Sequence, residues 1–119
     1  MQQKIAVSIR GAGVLDALLD PHFGRAEAFV LTDLDGLAPS RIPNPSGEAA
    51  HGAGTGAAST LAQHGVTDVV SGRFGPKAAS ALEALGIRMW LAAEARTAGV
   101  VLAALRADEL REQPASGAP

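Results

Sequence analysis

A chain of 119 residues, 47% hydrophobic and 18% charged, carries enough apolar material for one core and too little length for two, which excludes an intrinsically disordered chain. A net charge of −2 and an aromatic content of 3% (Trp90 and three Phe) argue against nucleic-acid binding by mass electrostatics or on a stacking platform. No cysteine is present, so disulfides, thiolate nucleophiles and cysteine-ligated zinc or iron–sulfur sites are excluded. With 25 alanines, the core has to come from aliphatic side chains and close Ala/Gly contacts. The opening MQQKIAVSIR lacks the apolar region of a signal peptide, and the longest apolar run, Ala98 to Leu105, is less than half a membrane span. A soluble, cytoplasmic protein that contacts neither membrane nor nucleic acid is expected.

In chain order, Lys4–Ile9 (KIAVSI) reads as a strand buried on both faces, because its apolar residues run nearly unbroken. Gly11 to Gly24 follows as a long glycine-punctuated loop, expected to be disordered in the ligand-free protein. Glu27–Asp33 is a second strand, and Asp35-Gly36 is a hairpin signal. Leu37–Ile42 is a weak third strand that Pro39 confines to an edge. Gly52–His64 reads as a helix with Ala53, Ala57, Leu61 and Ala62 on one face, stopped at Gly65. Val66–Val70 is a short strand. Pro76 opens a helix over Lys77–Leu85, with Gly86 as its stop. Ile87–Leu91 is the last strand, and Thr97 caps a final helix carrying Val101, Leu102, Leu105 and Leu110. Arg111–Pro119 reads as a flexible tail after a domain spanning 1–110. The βαβ unit around Val66–Leu91, combined with a front hairpin, implies a mixed sheet between helices in a three-layer α/β domain.

In open α/β sheets ligands gather beyond the carboxyl ends of the parallel strands. Three glycine-rich stretches fall there: Gly11–Gly24, His51-Gly52-Ala53-Gly54-Thr55-Gly56, and Ser71-Gly72-Arg73-Phe74-Gly75-Pro76-Lys77. Such turns also arise simply to reverse the chain. Two of them open helices, however, and present unpaired N–H groups beside bare backbone, with Arg25, Arg73 and Lys77 close in sequence, which suits an anion. Neither a Walker lysine nor a GxGxxG is present, so nucleotide binding has little support. His64 sits where an imidazole can meet the free carbonyls of a helix end. His22 and His51 lie in the glycine loops, as surface residues, hydrogen-bond donors or metal ligands. Asp16, Asp20, Asp33, Asp35, Glu48 and Asp68 show no partner pattern, and no base–nucleophile–orienter set involving Ser8 or Ser71 is legible.

The strand KIAVSI, followed by DPHFGRAEAFVLTD, NP, HGAG, DVVSGRFGPKAASALEALGI and LRADEL, resembles the dinitrogenase iron–molybdenum cofactor biosynthesis family, the NifX/NafY-type domain, over residues 4–110. Small size and the absence of cysteine make it most similar to that family's orange-protein type. The resemblance implies a ribonuclease-H-like fold with a five-stranded mixed sheet in the order 3-2-1-4-5, flanked by about three helices. It implies a non-catalytic carrier of a molybdenum–copper sulfide cluster, or alternatively of the iron–molybdenum cofactor or its precursor. Partners would be P-loop ATPases of the MinD/Mrp kind; the other reading is an interaction module working with such ATPases and no cluster. Carried over by motif, the cluster-binding residues would be His22, Phe23, Gly24 and Arg25, then His51, Gly52 and Gly54, then Gly72, Arg73, Phe74, Gly75 and Lys77. A cluster that brings its own sulfides needs N–H donors, cations and an apolar lid rather than cysteines. Nuclease chemistry would need acidic residues on the first strand, and KIAVSI has none.

Overall fold

A computed structural model describes residues 3–93 and 96–114. Its elements are β1 (Ile5–Arg10), β2 (Leu18–Leu19), a 3-10 turn (Phe23–Arg25), β3 (Ala28–Thr32), β4 (Ser40–Pro43), α1 (Ala53–Gln63), β5 (Asp68–Ser71), α2 (Pro76–Ala84), β6 (Arg88–Leu91), α3 (Ala98–Arg106) and β7 (Arg111–Gln113). The sheet runs β4-β3-β1-β5-β6-β7, with β2 paired to the end of β1. β1, β5 and β6 are parallel, and β3, β4, β7 and β2 each pair antiparallel with their neighbours.

The expected strand order 3-2-1-4-5 is contained in this sheet, but the sheet has seven strands rather than five. Both additions escape the hydrophobic pattern. β2 is two residues long, inside the stretch expected to be a disordered loop; there Leu19 is buried, and its N–H donates to Arg96 O at 2.8 Å. β7 is Arg-Glu-Gln, polar throughout, and pairs with β6 where the start of a flexible tail was expected. Residues 115–119 of that tail lie outside the described residues. The final helix is also shorter than expected. It ends at Arg106, and a turn with Asp108 at φ +60° brings Leu110 back to the core from outside the helix. β4 begins at Ser40, beyond Pro39, and forms the edge as expected. No helix among the described residues is long and apolar enough to cross a membrane.

Strand alternation divides the core in two. Ala6, Phe29, Leu31, Val69 and Met89 face α1 and α2, against Ala57, Ala58, Leu61, Ala78, Ala79 and Leu82. Ile5, Val7, Ile9, Val30 and Val70 face α3, against Ala98, Val101 and Leu102. Burial of a leucine such as Leu61 or Leu82, each fully inaccessible, stabilises the fold by about 1.5–3 kcal/mol. The small helix residues let backbones meet. A Cβ on Gly24 would lie 2.8 Å from Gly54 Cα, and one on Gly54 would lie 2.7 Å from Ala78 Cβ. The 3-10 turn, α1 and α2 are therefore in near-direct backbone contact.

Gly54→Ala is expected to cost about 1–3 kcal/mol by overpacking, despite the better helix propensity of alanine. Adding Ala78→Gly should recover part of that loss, as a double-mutant cycle in urea would measure. Independent, additive losses would contradict the close α1–α2 contact.

Candidate functional site

The carboxyl ends of β1 and β5 are bridged by the segment that precedes the 3-10 turn. Ser8 Oγ donates to Asp20 O at 2.8 Å, Ser71 Oγ reaches the same carbonyl at 3.3 Å, and the two hydroxyls are 2.8 Å apart. Both serines are fully buried, so they act as ties between sheet and loop. Asp20 Oδ1 accepts from His22 N–H at 2.9 Å, and Phe23 N–H donates to Arg73 O at 3.3 Å. Below the turn, the Phe23 ring lies 5.6 Å from Phe29 and 5.2 Å from Phe74, in tilted arrangements. The turn is thus anchored from underneath by an aromatic cluster and from the side by the strand that leads to α2.

Between this turn and the starts of α1 and α2 lies a cavity of about 460 Å3, lined by residues 22–25, 52–55, 73 and 75–78. That volume falls within the roughly 300–1,000 Å3 range of small-ligand sites. Neither helix that opens onto it has a side-chain cap: Gly52 precedes α1 with φ +76°, and Gly75 precedes α2 in extended conformation. α3, away from the cavity, is capped by Thr97, whose side chain accepts from Val100 N–H. The first intrahelical bonds of α1 and α2 are Gly56 N–H to Gly52 O and Ala79 N–H to Gly75 O, both counted from the caps. The N–H groups of Ala53, Gly54 and Thr55, and of Lys77 and Ala78, have no intrahelical acceptor. Pro76 has no N–H to contribute. Arg25, Arg73 and Lys77 are the charged residues of the lining, and all three are exposed. Among the described residues no acid lines the cavity. Two positive helix ends and three cations converge there, an arrangement that favours a polyanion.

Nine of the twelve residues singled out in the sequence line this cavity: His22, Phe23, Gly24, Arg25, Gly52, Gly54, Arg73, Gly75 and Lys77. The other three do not. His51 is exposed and set apart from the first turn of α1 by the left-handed Gly52. Phe74 is 8% exposed and belongs to the floor, packed on Phe23. A Cβ on Gly72 would meet Pro21 Cα at 2.7 Å, so this glycine serves loop packing behind the site. The aromatic residues form a floor where an apolar lid was expected. His22 is 47% exposed, with Nδ1 3.8 Å from Asp20 Oδ1. His64 accounts for itself as a helix-end residue, with Nδ1 2.9 Å from Thr60 O. Among the described residues no three of His, Asp or Glu converge as metal ligands.

Ala53, Thr55, Pro76 and Ala78, not singled out as binding residues in the sequence, also line the cavity, at the two helix starts where unpaired N–H groups were expected. Asn44, which enters the sequence reading through the NP motif of the family resemblance, is buried and donates to Gly24 O and Ala26 O. Asp68 lies at the amino end of β5, accepting from Trp90 Nε1 at 2.9 Å, and takes no part in the site.

Nothing lies within 4 Å of a Cβ placed on Gly75, and its extended backbone suits a capping side chain. Gly75→Asp is therefore expected to stabilise the free protein by a few tenths of a kcal/mol, read as a small rise in the thermal midpoint. A loss of 1 kcal/mol or more would show that this helix end is not open.

The family model described as dinitrogenase iron-molybdenum cofactor matches residues 3–108. A solved structure of the apo form of the orange protein from Desulfovibrio gigas is similar to this chain with a TM-score of 0.90 and 35% identity, covering 99% of this chain and 98% of that one. A Thermotoga protein shares the fold, with a TM-score of 0.80 and 24% identity over 92% of each chain. An uncharacterized protein of Methanocaldococcus jannaschii is 38% identical over 77 residues, and the match spans 62% of this chain and 65% of that protein, just under two thirds of its length. With nearly the whole chain matched, this protein belongs to the dinitrogenase iron-molybdenum cofactor family.

Proposed function

We propose that this chain is a non-catalytic carrier whose cargo is an anionic, molybdenum-containing metal–sulfur cluster of the molybdenum–copper sulfide kind. The cargo would be held without covalent bonds in the cavity between the 3-10 turn, α1 and α2. The observation that carries this reading is the pair of uncapped helix starts opening onto one cavity that is lined, among the described residues, by three cations and no acid. Family membership supports cofactor handling in general, and likeness to the orange protein favours this cargo over the iron–molybdenum cofactor or its precursor.

The chemistry follows from what such a cargo lacks and what the chain supplies. A sulfide-bridged polyanion arrives with its metals already ligated, so the protein has to offer donors and positive charge. The N–H groups of Ala53, Gly54, Thr55, Lys77 and Ala78 would donate to peripheral sulfides. Each helix end contributes about 0.3–1 kcal/mol beyond those bonds. Arg73 and Lys77 would offset charge, and His22 at the rim would add a ring donor. Gly52 and Gly75 keep the approach to the two helix starts free of side chains. The same exposure that admits the cargo leaves these charges open to screening, over a Debye length of about 8 Å at physiological salt.

Titration of the metal-free protein with tetrathiomolybdate and copper, followed by desalting and metal analysis, tests this reading. Colour and both metals retained at a fixed ratio are expected. Colour that washes away would overturn it and favour an iron–molybdenum cofactor client or a cluster-free module acting with P-loop ATPases, which a pull-down would then separate. Gly75→Asp places a carboxylate on the α2 donors and is expected to abolish retention in a protein that remains folded. Arg73→Ala combined with Lys77→Ala should weaken binding about 3- to 30-fold, the sum of two exposed charge contacts, and flatten its salt dependence. Unchanged retention in that double variant would remove the two cations from the site.

A further inference from the structure

One wall of the cavity is held by two polar side chains that reach across to each other's backbone. From the loop after β4, Asn44 Nδ2 donates to Gly24 O at 3.2 Å and Ala26 O at 2.9 Å, the two carbonyls that flank Arg25 in sequence. From the turn, Arg25 Nη1 donates to Gly47 O at 3.4 Å and to Ala49 O. Asn44 is 8% exposed, and its Oδ1 accepts from Ser46 N–H at 3.2 Å, so donor and acceptor ends of the amide are both engaged. The loop between these contacts has little room. A Cβ on Gly47 would lie 2.8 Å from Ala26 O, and one on Gly56 of α1 would collide with Ser46 Oγ. Residues 44–49 are thus wedged between the 3-10 turn and α1, a few residues before Gly52 opens that helix.

We infer that Arg25 and Asn44 are positioning residues: together they form a clasp that fixes the 44–51 loop, and with it the entry into α1, so that the Ala53, Gly54 and Thr55 N–H groups stay aimed into the cavity. This rests on the cargo-carrying reading above and divides its cations by task. Arg73 and Lys77, with no ion-pair partner among the described residues, supply charge. Arg25 spends its guanidinium on loop carbonyls and acts through them. Lysine at position 25 would keep the charge, with a shorter reach and without the planar, multi-donor head. A role in charge and a role in clasping are therefore separable.

The test uses Arg25→Lys and Asn44→Ala in the full chain, with two readouts. In the metal-free protein, amide hydrogen exchange at Gly47 and Ala49 is expected to accelerate in both variants, because their N–H bonds to Asn44 O and Ser46 O belong to the clasped loop. After loading with tetrathiomolybdate and copper, the dissociation rate should rise about 3- to 10-fold in each, the effect of losing the exposed bonds of Arg25 or the more buried bonds of Asn44, with no change in its dependence on ionic strength. Arg73→Ala is the contrast: it should flatten the salt dependence and leave the exchange rates alone. Should Asn44→Ala lower overall stability, the exposed Arg25→Lys still decides the matter. Wild-type exchange and wild-type release in Arg25→Lys would overturn the clasp, as would an Arg25→Ala variant whose only effect is on salt dependence. If the wild-type chain retains no cluster, the cargo reading fails by itself, while the exchange rates still judge the clasp.

Discussion

The carboxyl edge of this domain depends on one steric constraint: three stretches of backbone touch with almost no side chain between them. Gly24 lies against Gly54, and Gly54 lies against Ala78. The first contact seats the 3-10 turn on α1, and the second brings the start of α1 against the start of α2. Were either glycine replaced by a larger residue, the helix ends would separate, and their N–H groups would no longer share a cavity. The alanine-rich, ring-poor composition is the form this constraint takes in the sequence. The few large rings available are gathered beneath the turn, where Phe23 packs between Phe29 and Phe74 and gives the crowded backbones a rigid base.

Capping shows where stability has been given up. α3, which faces the other side of the sheet, begins with Thr97 and closes its own N-terminus. The two helices at the cavity begin with glycine, the choice that leaves donors open at a small energetic cost. A chain selected for stability alone would place Ser, Asp or Asn at Gly75, where both space and backbone geometry permit it. Departures of this kind from local preference concentrate at functional sites, and this one coincides with a lining whose charge, among the described residues, is positive.

Much of this was legible in the sequence, for definite reasons. Five strands and three helices stand out because their apolar periods are clear and because Gly65, Gly86, Pro76 and Thr97 punctuate them. The glycine clusters of the sequence fall around one cavity because parallel strands place their carboxyl ends together. β7 was hidden since Arg111-Glu112-Gln113 has no apolar face; its pairing comes from the Asp108 turn and the seating of Leu110. β2 was hidden by its length. At the site, Arg25 reads in the sequence as a cation beside a glycine loop. Its engagement with Gly47 O and Ala49 O depends on a loop more than twenty residues away, which no local pattern encodes. Asn44 is similar: Asn before Pro reads as a stop signal, and only the fold supplies the two carbonyls that satisfy its buried amide. His51 is next to Gly52 in sequence yet is not among the residues that line the cavity.

A site built from backbone donors and peripheral charge has a different character from one built from ligating side chains. Inner-sphere ligands such as cysteine would exchange with the sulfides of a preformed cluster and so take part in its chemistry. Amide donors cannot displace a sulfide from a metal, so on the proposed reading the cargo would enter and leave with its own coordination intact. Affinity would then rest on how well the donors are pre-aimed and on how far their charge reaches through solvent. The first is a property of the glycine contacts and of the loop braced by Asn44 and Arg25, and the second of Arg73 and Lys77. Rigid aim with solvent-exposed charge suits a protein that must hold a polyanion and still release it. Aim sets how long the cargo stays, while exposed charge speeds its capture and responds to ionic strength.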